Sequence, residues 1–251
     1  MPAPKLPKIL EREPLVDAVF EFRLSGGQSL ADILPGFLFH DLDQPKPTIS
    51  RLPAADIPQP MRATDPALQF APILRLDWRE FFISVGDRNV IINCKLPYPK
   101  WPNFKKAILD IVGRIAKMEM GGHVERYSVK YVNLIPAPSF ADQVKKIRME
   151  IRLGDVQVDD DHMSLQVHRR EGDIIHILSV MTGAQGQMPD GRLLFGVLVD
   201  VDSIRAVRDL PFQTFAASFE PELETLRQAN KVKFFGSLTD ATVQEMGPIY
   251  E

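Results

Sequence analysis

Apolar and polar residues alternate along several stretches of the chain, and this period of two predicts half-buried β-strands. The alternation is clearest at residues 15–24, where Phe20 and Phe22 are expected to face a core. Tight turns at 86–89 and 171–172 are expected to reverse the chain, which makes the flanking strands antiparallel. The predicted strands cover residues 15–24, 68–78, 80–85, 90–96, 124–134, 147–158, 163–169, 173–181 and 192–201.

A second pattern places apolar residues three or four positions apart and predicts two long helices. The first follows Pro102, a residue that is tolerated in the first turn, and ends before Gly121. The second is predicted at 209–235, where Pro221 is expected to kink or divide it. The apolar stripe of the first helix consists of Phe104, Ile108, Ile111, Ile115 and Met118.

Two short helices complete the predicted elements. The first is expected at 30–39 and to be interrupted by Pro35, because proline removes a helical hydrogen bond. The second is expected at 140–145, where Ser139 is suited to cap the free amide groups of the first turn.

The order of these elements repeats. Residues 1–121 contain a strand, a short helix, three or four strands and a long helix, and residues 122–251 contain a strand, a short helix, four strands and a long helix. A helix laid across an antiparallel sheet buries its own stripe and one face of the strands together. The sequence therefore predicts an α+β fold of two pseudo-repeats, each a sheet covered by one long helix, which form one curved sheet in one compact unit.

A proline-rich stretch at 41–66 departs from both patterns. It contains six prolines, and at most one edge strand, near 48–52, is expected there because proline cannot donate to a strand ladder. A long irregular loop of this kind is functional, disordered or a plain surface covering. The sequence leaves these three alternatives open.

Two resemblances follow from these features. The order of elements resembles the tandem fold of the TATA-box-binding protein and of helix-grip domains, a likeness of architecture that carries no function. In addition, the stretches REPLVDAVFEFRL, DRNVIINCKLPYPKWPNFKKAI, VERYSVKYVNLI and FFGSLTDATVQEMG resemble landmarks of a sporadically distributed family of uncharacterised bacterial and archaeal proteins of about this length. That resemblance implies a prokaryotic cytosolic protein, and a patchy distribution is common among defence-associated genes.

Composition narrows the classes of function. The net charge of −3 and pI of about 6.0 give no overall basic excess for non-specific nucleic-acid binding. The single cysteine, Cys94, is expected to be a buried apolar residue within a strand, and it rules out an intrachain disulfide. No apolar run is long enough for a membrane span or a signal peptide, so a cytoplasmic location is expected.

The candidate metal ligands form two weak groups. Asp161 and His162 belong to a run of neighbouring polar residues between strands, where consecutive side chains point in opposite directions. His168 and His176 flank a turn and are candidates for a cross-strand pair. No phosphate-binding loop or nucleophile motif accompanies them. We therefore expect no metal site, no cofactor and no catalytic residue.

The most suggestive polar residues lie on the strand predicted at 124–134, which is polar on both faces although a central strand is usually apolar. Whichever face is open is expected to form a binding surface, because alternate side chains share a face. Two arginines on other strands are candidates for the same surface. The candidates are Arg126 and Lys130 on one face, Tyr127, Tyr131 and Asn133 on the other, and Arg23 and Arg75 elsewhere.

These observations predict a non-enzymatic binding protein with a protein partner, in a defence-associated or toxin-neutralising role. The binding region is expected to be the open sheet face or the 41–66 loop, and homo-oligomers are possible because an open sheet has two edges. One alternative is a small-ligand or nucleotide-binding enzyme with a cavity between sheet and helix. Another is nucleic-acid binding on the open sheet face.

Overall fold

A computed structural model describes residues 6–119 and 121–250 of the chain. The strands are β1 (Ile9–Leu10), β2 (Leu15–Ser25), β3 (Thr48–Arg51), β4 (Pro72–Trp78), β5 (Phe81–Gly86), β6 (Asn89–Cys94), β7 (His123–Pro136), β8 (Arg152–Leu153), β9 (Val156–Gln157), β10 (Ser164–Glu171), β11 (Ile174–Gln187), β12 (Leu193–Pro211) and β13 (Pro248–Ile249). The helices are α1 (Leu30–Asp41), α2 (Gln59–Thr64), α3 (Lys100–Ala116), α4 (Phe140–Val144), α5 (Phe212–Gly236) and α6 (Asp240–Glu245), with a 3-10 turn at Pro53–Asp56.

The fold is α+β and is built on a large antiparallel sheet, as predicted. Nine strands form this sheet in the spatial order β10-β11-β12-β7-β2-β6-β5-β4-β3. Two further two-stranded sheets pair β1 with β13 and β8 with β9. The alternation that predicted β2 is visible in its burial, because Ala18, Phe20, Phe22 and Leu24 are buried while the residues between them are partly exposed.

Several predicted boundaries are wrong. The strand predicted at 147–158 is only the short β8–β9 hairpin, which lies outside the large sheet. Strand β12 continues through Pro211, so α5 begins at Phe212 instead of residue 209. The polar 202–211 segment lacks an uninterrupted alternation, and pairing within the sheet, which local sequence does not reveal, extends the strand.

Neither proline divides its helix, so the predicted interruption at Pro35 is wrong, whereas a kink at Pro221 stays a prediction. Pro35 lies inside α1 and Pro221 lies inside α5, and each helix is assigned as one continuous element. Proline removes one helical hydrogen bond. The apolar residues around Pro35, such as Leu34 and Leu38, are completely buried, so packing against the core stabilises α1 despite that loss.

The contacts within the chain divide it into two compact units. Unit 1 comprises residues 1–17, 130–203 and 225–251, and unit 2 comprises residues 18–129 and 204–224. The core of unit 2 contains a stack of aromatic rings, in which Phe215 and Phe219 of α5 lie 4.5 Å apart between centroids. In unit 1, Phe234 and Leu238 pack with three valines of β12, so the segment that follows α5 lies against the same core as the helix end.

The proline-rich 41–66 stretch has more regular structure than the single edge strand that was predicted there. It contains β3, the 3-10 turn and α2. The side chain of Arg62 in α2 is buried and forms a bidentate ion pair with Asp87, with 2.8 Å between Nε and Oδ2 and 3.1 Å between Nη2 and Oδ1. This pair fixes the stretch to the β5–β6 turn.

Candidate functional site

The seven sequence-predicted surface residues do not lie on one face. Tyr127 is only 2% exposed and packs on Phe215 and Phe219, with 5.3 Å between ring centroids in each case. Burial raises the pKa of the Tyr127 phenol, with a smaller opposing effect from Arg205. This tyrosine therefore belongs to the helix-covered core of unit 2.

Tyr131 and Asn133 are also buried, in unit 1. The guanidinium carbon of Arg227 lies 4.3 Å from the centroid of the Tyr131 ring. Asn133 donates from Nδ2 to the carbonyl oxygen of Val199 at 3.4 Å. Both residues are packed into the fold, so neither offers an exposed surface.

In unit 2, Arg23 and Arg126 are brought together by Glu21. Each arginine lies 3.1 Å from Glu21 Oε2, through Nε of Arg23 and Nη2 of Arg126. The other carboxylate oxygen, Oε1, accepts a hydrogen bond of 3.0 Å from Nδ2 of the buried Asn89. One largely buried carboxylate thus holds two half-buried guanidinium groups.

These groups lie on the face of the unit 2 sheet that points away from the aromatic stack. Phe20 and Phe22 contact α5, and successive strand residues point to opposite faces, so Glu21 and Arg23 point the other way. The antiparallel register places Ile91, Ser84 and Arg75 in the same row as Glu21. We call the face formed by Glu21, Arg23, Ser84, Phe82, Arg75, Lys95 and Arg126 the open face of unit 2.

Aromatic rings lie beneath the cations of this face. The guanidinium carbon of Arg75 is 5.1 Å from the centroid of Phe82, and Lys95 Nζ is 4.9 Å from the same centroid. Arg23 lies 4.1 Å above the ring of Phe70. Cation–π contacts of this kind keep charged groups in place while leaving their polar edges available.

Lys130 lies in unit 1 and has an acidic neighbourhood. Its Nζ is 2.7 Å from Asp200 Oδ2. Burial raises the pKa of Asp200 above its usual value, and this exceeds the opposite effect of Lys130. Burial is the largest single effect on Lys130 and acts to lower its pKa. The hydrogen bond to Asp200 and the nearby charges of Asp202 and Asp17 together outweigh burial, so the pKa of Lys130 is raised.

The weak metal candidates are dispersed. His176 is buried, with Nδ1 2.9 Å from Ser203 Oγ, and its pKa is lowered by burial first and by Lys233 second. The strand register pairs His176 with Arg169 and His168 with Ile177, so the two histidines are not directly opposite. His162 packs edge-on against Phe140. Among the residues described, Asp161 and these histidines are not part of any cluster of three or more potential metal ligands.

The described residues also form cavities in each unit. In unit 2 a polar pocket of about 390 Å³ lies beside the Gly26–Gly27 turn and Arg88. In unit 1 a cavity of about 380 Å³ has mainly apolar walls, with Arg12 and Arg192 at its border. Both volumes are at the lower end of the range for small-molecule sites.

Sequence reasoning missed the residues that organise the open face. In the sequence, Glu21 lies between Phe20 and Phe22 on the polar side of a predicted strand, and no local pattern marks it as the centre of an arginine pair. Phe70 lies just before β4 without a periodic pattern. The Arg62–Asp87 pair joins residues 25 positions apart, and only the fold brings them together. Cys94, in contrast, is buried in β6 as predicted.

Comparisons with known proteins add no relative. Within the described residues, none of the helices combines the length and apolar character that crossing a bilayer requires. No family model matches the chain, and the search of curated proteins found no match. The resemblance to a family of uncharacterised prokaryotic proteins therefore stays a prediction.

Proposed function

We propose that this chain is a non-enzymatic binding protein whose partner is another protein, and that the partner contacts the open face of unit 2. The observation that carries the proposal is the composition of this face, in which cations lie over aromatic rings on the surface of a sheet. Arginine and aromatic residues are enriched in protein–protein interfaces and among the residues that dominate their binding energy.

The charge of the open face indicates what the partner presents. Glu21 is shared by two arginines, and Lys95 pairs with Asp77. Among the described residues, Arg75 has no carboxylate partner and donates from Nε to Ser84 Oγ at 3.3 Å. The face therefore has an excess of positive charge, and an acidic protein surface complements it.

The order of strands supports the two pseudo-repeats. From the β7–β2 pair outward, β12, β11 and β10 follow on one side, and β6, β5 and β4 follow on the other. In both directions the first strand of a repeat pairs with the last strand before a long helix. We propose on this basis that the chain arose from a duplicated unit, with all of the open face except Arg126 belonging to the first copy.

A defence-associated or toxin-neutralising role in a prokaryotic cytosol is the specific form of this proposal. Complementary charges steer two proteins together and speed their encounter, so the positive open face suits an acidic surface on a target toxin. The proposal requires a partner protein that binds in a fixed ratio and whose binding depends on the open face.

Affinity capture from the native host tests the proposed protein partner with one variant and one matched control. Arg75→Glu reverses a charge on the open face, where the Arg75 side chain donates to Ser84 and lies over the ring of Phe82. Lys106→Glu makes the same charge change on an exposed position of α3. We expect wild type and Lys106→Glu to retain a protein in a fixed ratio and Arg75→Glu to retain at least about tenfold less of it.

Three outcomes contradict the proposal. Equal recovery of the partner by Arg75→Glu and Lys106→Glu removes the open face from the interaction. Recovery of nuclease-sensitive material, with binding that weakens steeply with salt, favours the nucleic-acid alternative. Repeated recovery of the bait alone, as a monomer or a homo-oligomer, leaves no protein partner.

A further inference from the structure

The cavity of unit 1 has the features of a small-molecule site and is independent of the open face of unit 2. Its volume of about 380 Å³ is enclosed by five segments of unit 1. They are the lead-in before β2, the end of β7, the β11–β12 turn, the start of β12 and the end of α6. A concave site with apolar walls and few polar groups is the usual form of a ligand pocket.

The walls are apolar over most of their area. Leu134, Ile135 and Met246 are each at most 5% exposed, and we call these three residues the floor of the cavity. Met188 and Leu194 from the β11–β12 hairpin also line the cavity and are partly exposed. A methionine at this position adapts to the shape of an apolar ligand, because its side chain is unbranched and flexible.

One charged group at the border is held in a fixed position without an ionic partner. Arg12 donates from Nε to the carbonyl oxygen of Glu245 at 2.7 Å, and also from Nη2 to the same oxygen. Its backbone N–H donates to the carbonyl oxygen of Met246 at 3.0 Å. Among the described residues, Arg12 has no carboxylate partner, and because it is exposed, only solvent and the carbonyl oxygen of Glu245 face its charge.

The other polar groups at the border already have partners. Arg192 pairs with Asp190 at 2.7 Å, and Glu245 pairs with Lys146 through Oε2. Thr242 Oγ1 donates to the carbonyl oxygen of Lys146, and Glu13 takes part in an interaction of its own. Arg12 is therefore the group at this border whose charge a ligand can neutralise.

We propose that the unit 1 cavity binds a small molecule with an apolar chain or ring and one carboxylate, and that Arg12 binds the carboxylate. Guanidinium groups match the geometry of carboxylates and form charge-assisted hydrogen bonds with them. The buried floor of Leu134, Ile135 and Met246 takes the apolar part out of water, which supplies most of the affinity.

Calorimetric titration of the full chain with octanoate and with the neutral octanamide tests this proposal. These two probes share their apolar chain and differ in charge. We expect saturable binding of one octanoate per chain, about tenfold tighter than octanamide, because a hydrogen bond to a charged group is stronger than one to a neutral group.

Two pairs of variants separate the apolar walls from the charged group. Leu194→Trp fills the cavity and is expected to abolish binding of both probes, whereas Leu193→Trp changes a neighbouring side chain that is 79% exposed and is expected to bind like wild type. Arg12→Gln is expected to remove the preference for octanoate, and Arg12→Lys is expected to retain most of it. Thermal melting verifies that each variant folds, and Met188→Trp is a second filling variant on the partly exposed hairpin.

The proposal is overturned by any of three results. The first is the absence of saturable octanoate binding to the wild-type chain. The second is equal binding by the folded Leu194→Trp and Leu193→Trp variants, which locates the site elsewhere. The third is an unchanged preference for octanoate in Arg12→Gln, which assigns the carboxylate to another group.

Discussion

The two units place opposite charge balances on their polar sheet residues. In unit 2 one carboxylate, Glu21, is held by two guanidinium groups and an amide. In unit 1 one ammonium group, Lys130, lies among carboxylates, of which only Asp200 is its direct partner. In unit 2 the cations therefore outnumber the carboxylate, whereas in unit 1 the carboxylates outnumber the cation.

This difference determines how each cluster responds when it is disturbed. Arginine remains charged at any pH a protein tolerates, so the unit 2 cluster has no protonation change that relieves the loss of Glu21. Asp200 has a raised pKa because it is buried, so the unit 1 cluster can take up a proton instead. The unit 2 cluster therefore keeps its positive charge at every pH, whereas the charge of the unit 1 cluster changes when Asp200 takes up a proton.

The largest effect is expected for Glu21→Gln. This change leaves Arg23 and Arg126 half-buried without their shared carboxylate, which is expected to reduce the free energy of unfolding by about 2–3 kcal/mol. Urea denaturation at pH 7 measures it. Glu125→Gln is the control, because its side chain is 38% exposed and its pair with Arg88 is expected to contribute less than about 1 kcal/mol. Equal losses in the two variants contradict a special role for Glu21.

A smaller and pH-dependent effect is expected for Lys130→Met. Without Lys130 the pKa of Asp200 rises further in the folded state, so the folded protein binds more protons than the unfolded chain above about pH 4. Stability then falls as pH rises through the folded pKa of Asp200, with a loss of about 1–2 kcal/mol at pH 7. Denaturation curves from pH 4 to 8 check the slope.

Asp200→Leu is the second single variant, and together with Lys130→Met and the double variant it forms a double-mutant cycle. The double variant Lys130→Met with Asp200→Leu removes both buried charges and is expected to recover most of the stability. A double variant no more stable than Lys130→Met at pH 7 contradicts the assignment of the slope to Asp200.

A second pH effect belongs to the buried His176 of unit 1. Burial lowers its pKa in the folded protein, so the unfolded chain binds more protons below about pH 6.5. Stability is therefore lost as pH falls from about 6.5 toward the folded pKa, by at most about 1.4 kcal/mol per pH unit. Thermal melts of His176→Asn are expected to show a flatter profile between pH 7 and 5. His168→Asn, at an exposed position, is expected to keep the wild-type profile.

The smallest effect on stability is expected for Arg75→Gln on the open face. Arg75 is partly exposed, so its loss is expected to change the free energy of unfolding by less than about 0.5 kcal/mol. Urea denaturation checks this value. A loss above about 1 kcal/mol assigns Arg75 a structural role and weakens the case for a binding surface.

The sequence predicted the elements far better than the site. Periodicity located β2, β5, β6, β7 and α3, because burial of one face imposes a period on the chain. It also separated the two faces of β7 but did not say which one is covered. Tyr127 and Arg126 are neighbours in sequence, and only α5, more than 80 positions later, decides that the tyrosine is buried.

The features that the sequence did not predict depend on contacts between segments that are distant in the chain. The Arg23–Glu21–Arg126 cluster depends on the pairing partners of β2, which follow from the whole sheet and not from a local pattern. The unit 1 cavity joins residues 12–16 with 242–246, the two ends of the chain. The two pseudo-repeats predicted at 1–121 and 122–251 stay a prediction. The two compact units divide the chain at other positions.

The most direct test of the account measures which arginines a bound partner covers. The protein alone and its complex from the native host are treated with phenylglyoxal, and labelled residues are identified by mass spectrometry. The account predicts that Arg75 in unit 2 is labelled in the free protein and protected in the complex, while Arg169 in unit 1, whose side chain is 71% exposed, is labelled equally in both. Protection of Arg169 with unchanged labelling of Arg75 contradicts the account.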